Sequence, residues 1–188
     1  MTDLHPRDLS MPLLLTVEEC RRQCRVDSPE EDAELLGYAA AAQAWVETFT
    51  GRRLTGRPAI AIAPEWGAWR LMAAPVVSID SIDYEDSDGA VRTLPADDYL
   101  VRDCLGLTVI RLRTTIVGPV LRPESQITIA MTVGHAEGAC PPDLKHACLL
   151  MVGNSYRNRD AVVTGTIATE LPLAVESLCI RHRLTVLP

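Results

Sequence analysis

The sequence predicts an α+β protein: a small helical bundle built from N- and C-terminal helices, with a β-rich insertion in the middle. Three observations predict it. Residues 28–54, SPEEDAELLGYAAAAQAWVETFTGRRL, read as one long alanine-rich helix with its own start and stop signals. Residues 58–133 switch to short apolar runs separated by turn residues, the pattern of strands. Helical periodicity returns after Pro141-Pro142. The expected organisation is a single domain over 1–188, with an N-terminal arm (1–15), a helical bundle (16–57 and 141–183), the β-rich insertion (58–133) and a C-terminal tail (184–188).

In chain order, residues 1–15 read as an arm with little structure of its own. Thr16 and Glu19 form a capping box that opens a short helix over TVEECRRQCRV. In the long helix, Ser28 is the expected cap, Pro29 suits the first helical position and Glu31 would complete a second box. Gly51 supplies the left-handed residue that ends it. Leu35, Ala39, Ala42, Val46 and Phe49 recur at spacings of four and three, so they share one face. That narrow seam needs a helical partner. Strands are expected at 59–63, 69–72, 76–84, 91–94, 99–102, 107–113 and 127–133, with a hairpin turn at Ser87-Asp88-Gly89 and a loop at 95–98. The partner for the seam is the helix after Pro142, where Leu144, Ala147, Cys148, Met151, Val152 and Ser155 lie together. A loop from Thr164 to Thr169 leads to Pro172, which starts a last helix reaching about Arg183.

Composition narrows the function. The hydrophobic share of 47% and charged share of 23% are those of a folded chain. A formal charge of −7 argues against general nucleic-acid binding, which requires clustered bases. The acid is uneven: residues 1–50 hold ten acids and four bases, whereas residues 181–188 hold two arginines and no acid. No leader-like run opens the chain and no stretch reaches the roughly 18 apolar residues of a membrane span. An intracellular, soluble protein with no membrane contact is expected, its six cysteines reduced.

Chemical constellations are weak throughout. Cys20 and Cys24 stand one helical turn apart but lack two further ligands at zinc spacing, so they read as core. The acidic run Asp80, Asp83, Glu85, Asp86 and Asp88 fails the calcium-loop template, because the first and twelfth positions fall on Tyr84 and Pro95. Gly153-Asn154-Ser155 is half of a nucleophile elbow with Arg157 where a glycine belongs. Phosphate-loop, dinucleotide and HExxH patterns are absent. His135, His146 and His182 have no local triad partners. No catalytic residue, metal or cofactor is expected, and the protein is read as no enzyme. Arg157 and Arg159, in the polar cluster Tyr156-Arg157-Asn158-Arg159, and the basic, apolar end Arg181, Arg183, Leu184, Val186 and Leu187 are the candidate partner-binding residues.

Taken in order, the pieces resemble a known family. They are LTVEE at 15–19, AWVETFTGRRL at 44–54, PVVSI at 75–79, LPADDY at 94–99, Gly134 before PPDLK at 141–145, YRNR at 156–159 and ELP at 170–172. Their joint order over about residues 13–183 is similar to the head-to-tail adaptor, or connector, proteins of long-tailed phages and phage-derived gene transfer agents. The resemblance implies a structural, non-enzymatic virion protein that assembles as a homo-oligomeric ring of about twelve copies. It implies a portal protein on one side, a tail-proximal stopper or tail protein on the other, and DNA passing through the lumen without specific binding. Such a chain would be made in the cytoplasm of the producing cell and end in the particle. Two rivals stand beside it. One is an enzyme whose site is assembled from distant residues such as Cys104, His135 and Asp143; the other is a DNA-binding module using Arg157, Arg159, Arg181 and Arg183.

Overall fold

A computed structural model describes residues 1–104, 106–113, 118–158 and 170–184. The fold is α+β and rich in sheet. It comprises two compact units, Met1–Met11 with Gly56–His135 and Pro12–Thr55 with Ala136–Pro188.

The first unit holds the strands. They are β1 (Thr2–Leu4), β2 (Arg7–Asp8), β3 (Arg57–Ala63), β4 (Ala68–Leu71), β5 (Val76–Glu85), β6 (Val91–Thr93), β7 (Tyr99–Cys104), β8 (Leu107–Leu112) and β9 (Ile127–Val133). One sheet runs β1-β4-β8-β7 and the other β2-β3-β9-β5-β6. Only the β1–β4 pair is parallel among these ladders. Period-two alternation decides what goes inside. On β9, Ile127, Ile129, Met131 and Val133 point into the core, and register sets them opposite Ala63, Ala61, Ala59 and Arg57 of β3. At Ala59, Ala61 and Ala63 small residues thus face large ones. The other sheet adds Leu4, Trp69, Leu71 and Ile110 to the same cluster. Each fully buried Ile or Leu contributes roughly 2 kcal/mol of transfer free energy.

The N-terminal residues correct the expected arm. Leu4 is 4% exposed in the core, and β1 and β2 pair with β4 and β3. The sheet region is therefore not a simple middle insertion. Two ion pairs hold these short strands where apolar content alone would not: Asp3 with Arg70 at 2.7 Å and Asp8 with Arg57 at 3.3 Å. Between β5 and β6, Asp86 accepts the N–H groups of Asp88 and Ala90 at 3.0 Å, and Gly89 takes φ 82°, so the expected turn forms. Residues 96–98 make a single 3-10 turn rather than open loop.

Trp66 closes one side of this unit. It meets Tyr84 edge-on at 5.2 Å between centroids and donates from Nε1 to the Pro119 carbonyl at 2.8 Å. A Cβ on Gly118 would sit 2.5 Å from Trp66 Cγ, deep inside contact distance at the root of a rigid ring. Gly118→Ala is expected to lower stability by about 2 kcal/mol, with a red-shifted tryptophan emission, as judged by denaturant titration.

The second unit holds the helices α1 (Val17–Cys24), α2 (Asp32–Thr50), α3 (Pro142–Arg157) and α4 (Glu170–Cys179). The Thr16–Glu19 capping box forms as expected. The second box does not. Ser28 caps a 3-10 turn over Pro29–Glu31 by accepting from Glu30 N–H, and Glu31 instead accepts from the Tyr156 hydroxyl at 2.6 Å. Leu35, Ala39, Ala42 and Val46 are buried against Leu144, Ala147, Cys148 and Val152 of α3, the seam the spacing predicts. Phe49 departs from it. The ring is half-buried and stacks on Trp45 at 5.1 Å, because at the helix end the seam has rotated toward solvent. Close approach of α1 to α3 rests on Gly153, where an added Cβ would lie 3.2 Å from the Gln23 amide. The expected loop at Thr164–Thr169 lies outside the described residues. No helix of the described residues is long and apolar enough to cross a membrane.

Candidate functional site

Residues 181–184 were expected to begin a basic end and a tail; the described part of that end is clasped instead. Gly51, at φ 71°, ends α2 and leaves the Thr50 carbonyl open to a partner. Leu184 N–H donates to that carbonyl at 2.8 Å, and Arg52 Nε donates to the His182 carbonyl at 2.5 Å. The Arg183 guanidinium lies 5.3 Å above the Phe49 ring, a cation–π contact at an exposed edge. Side-chain volume matters here too, because a Cβ on Gly51 would meet Leu184 Cδ1 at 3.3 Å.

Asp143, in the first turn of α3, closes the other side. Its Oδ2 lies 2.8 Å from His182 Nε2 and 3.6 Å from Arg181 Nε. The bond from His182, with further help from the charge of Arg181, holds the carboxyl below its ordinary value of 3.8 despite partial burial. A depressed acid contributes stability above its unfolded value and loses it as pH falls through the folded one. Protection of the Leu184 amide against hydrogen exchange is therefore expected to drop as pH falls below about 3.8. In Asp143→Asn that protection is expected to be low at every pH, with no acid transition.

The sequence-predicted residues do not form one patch. Arg181 and Arg183 are exposed beside the start of α3, whereas Arg157 ends the same helix. At about 1.5 Å per residue, those two ends are about 20 Å apart. Leu184 is half-buried against the end of α2. Arg159, Val186 and Leu187 lie outside the described residues. The DNA-binding grouping thus loses its contiguity among the described residues.

The residues named for a distant enzyme site lie in different units. Cys104 is exposed at the end of β7 and His135 follows β9, both in the sheet unit, while Asp143 is engaged by His182 and Arg181 in the helical one. The Cys20 thiol is wholly buried, and burial pushes it up to about 11, as expected for core. Among the described residues no three His, Cys, Asp or Glu side chains gather as metal ligands.

One feature of the sheet unit was not read from the sequence. β7 is a sheet edge of six residues, its last four exposed, with cavities of about 340 and 390 Å³ on its two faces. Alternation alone marks β7 as a strand; only the strand order shows that nothing described pairs with its far side.

No family model and no curated protein matches the sequence. Solved structures do. A chain from the neck of an empty gene transfer agent (GTA) particle, computed with C6 symmetry, superposes with a TM-score of 0.81 at 24% identity, over 97% of each chain. The chain shares the fold of GTA neck components. A chain of the native GTA virion gives 0.79 at 22% identity, and one from the native neck computed with C12 symmetry gives 0.78 at 22%, each again over 97% of both chains. Because coverage is nearly complete on both sides, the likeness extends to both units and is not a shared sheet or helix pair.

Proposed function

We propose that this protein is a structural adaptor of a phage-like particle, forming a ring between the portal and the tail-proximal proteins through which DNA passes. The observation that carries the reading is the whole-chain likeness to GTA neck chains, joined to an independent sequence resemblance to head-to-tail adaptors. C6 and C12 symmetry in those necks fits a ring of identical copies. In this reading the helical unit forms the bundle, and the sheet unit, which includes β1 and β2 from the N-terminus, faces neighbouring copies. The protein works by contact rather than by chemistry, and its place is the assembled particle.

Arg157, Arg159 and the end from Arg181 to Leu187 are the surfaces assigned to the portal. The exposed Arg181 and Arg183 side chains suit an acidic partner surface. Mass photometry of the full chain, alone and with a GTA portal, tests this. The expected result is a complex of about twelve copies on the portal, lost when residues 184–188 are deleted. A chain that neither binds a portal nor assembles sinks the reading.

A further inference from the structure

The sheet unit ends in four edge strands, and three of them are short: β1, β2 and β6 have three, two and three residues. β7 is different. It has six residues, no strand pairs with its outer side among the described residues, and Val101 on it is 47% exposed. A long open edge is a template for another strand, which proteins normally blunt or cover. Here it carries no proline and no bulge.

Charge selects what covers it. Leu100, Arg102 and Cys104 face one side of β7, where with Val109, Arg111 and Leu112 they line the 340 Å³ cavity. Arg102 and Arg111 are without an ion pair among the described residues. Toward the opposite face, Tyr99, Val101 and Asp103 line the 390 Å³ cavity with Thr108 and the start of β5, and Arg102 borders this cavity as well as the first. A fitting strand therefore brings acid to Arg102. In this unit β6 meets that description. Val91 and Thr93 share a face with Glu85, which pairs with Arg122, and with Asp83, their cross-strand partners on β5, whereas Arg92 lies on the other face and pairs with Asp86 of its own chain. Asp83 is held by the hydroxyls of Ser81 and Thr93 at 2.7 and 2.5 Å, with no base on it among the described residues. Val91 is 73% exposed.

We propose that β6 of a second copy adds antiparallel to β7, with Val91, Arg92 and Thr93 opposite Cys104, Asp103 and Arg102. Arg102 then reaches across Thr93 to Asp83. Because the two edges differ, each copy offers one of each, so the contact is head-to-tail and propagates around a ring rather than stopping at a dimer. The two sheets of successive copies merge into one belt. This rests on the ring reading and names its interface.

The test uses the full chain, alone and on a portal. Val91→Cys under mild oxidation is expected to link to Cys104 of the next copy and give a ladder up to the ring, absent when Cys104→Ser is added. Arg102→Glu is expected to raise the concentration needed for assembly at least about tenfold, with an unchanged melting curve because the side chain is exposed. Adding Asp83→Arg to Arg102→Glu should restore assembly. Rings that form normally with Arg102→Glu and show no 91–104 link overturn the interface and leave the ring reading standing. A chain that never assembles and never links overturns both.

Discussion

Asp8→Ala is expected to destabilise the sheet unit by about 3 kcal/mol, far more than a surface carboxylate warrants. The reason is Arg57. Its side chain points into the core from the first inward position of β3, and the residue is 2% exposed. Inward positions further along β3 are all alanine, so at Arg57 the long side chain fills space opposite Val133 that alanine leaves elsewhere. A buried guanidinium needs a counter-charge, and Asp8 supplies it at 3.3 Å from β2, itself 24% exposed at the side chain. Removing the carboxylate withdraws a counter-charge from a buried cation, where desolvation weighs heavily. Asp8→Asn tests charge alone and is expected to lose most of the same stability. The decisive variant is Asp8→Leu with Arg57→Met, which removes both charges and should recover to within about 1 kcal/mol of wild type. Urea titration reads all four proteins. If Asp8→Ala costs less than about 0.5 kcal/mol, the pair is a surface one and this account of β2 is wrong.

That pair also marks where sequence reading stops. Helix ends were legible because their signals are local: Thr16 and Glu19 find each other within one turn, and Gly51 is where a left-handed residue is needed. The seam of α2 was legible because spacing maps directly onto a helix face, and the hairpin because Asp86 binds its own turn. Arg57 was not legible as core, since strand alternation starting at Ala59 gives no reason to extend the inward face to an arginine. Nor were β1 and β2, whose few residues owe their place to Asp3, Leu4 and Asp8 meeting partners more than 45 residues away. The end of the chain repeats the lesson. Leu184 looked like tail because its anchor, the Thr50 carbonyl, is a backbone group, and no side-chain pattern announces it. The separation of Arg181 and Arg183 from Arg157 follows from α3 lying between them.

The helical unit has its own buried polar centre, and Gln43 is where the second large effect is expected. Gln43 is 1% exposed, beside the apolar seam of α2, in line with Glu47 and Thr50 at helical spacing. Its Oε1 accepts Leu14 N–H at 2.9 Å. Its amide lies 3.0 Å from the Pro12 carbonyl, 3.1 Å from Glu47 Oε1 and 3.2 Å from Thr55 Oγ1. Glu47 Oε1 also accepts Leu54 N–H at 2.9 Å. One side chain thus pins the segment entering the helical unit and the segment leaving it, satisfying backbone groups that α2 cannot reach. Gln43→Met keeps the volume and removes the bonds, so that the half-buried Leu14 N–H loses this acceptor and the Pro12 carbonyl keeps only the Thr55 hydroxyl among these partners. About 3 kcal/mol is expected to be lost, read by thermal or urea unfolding. Gln43→Glu discriminates between packing and hydrogen bonding. At neutral pH it places two acceptor-only carboxylates side by side on α2, so the loss should exceed that of Gln43→Met. Two carboxylates in one buried site share a proton, so one of them titrates above the unfolded range near 4.3. The sign follows: the penalty is absent below the unfolded value and grows as pH rises through the folded one. The stability gap between Gln43→Glu and wild type is therefore expected to narrow on going from pH 7 to pH 4, where a protonated carboxyl regains a donor. A gap that is flat across that range would mean that Gln43 acts by filling space and that the hydrogen bonds it makes to Leu14, Pro12 and Glu47 contribute little.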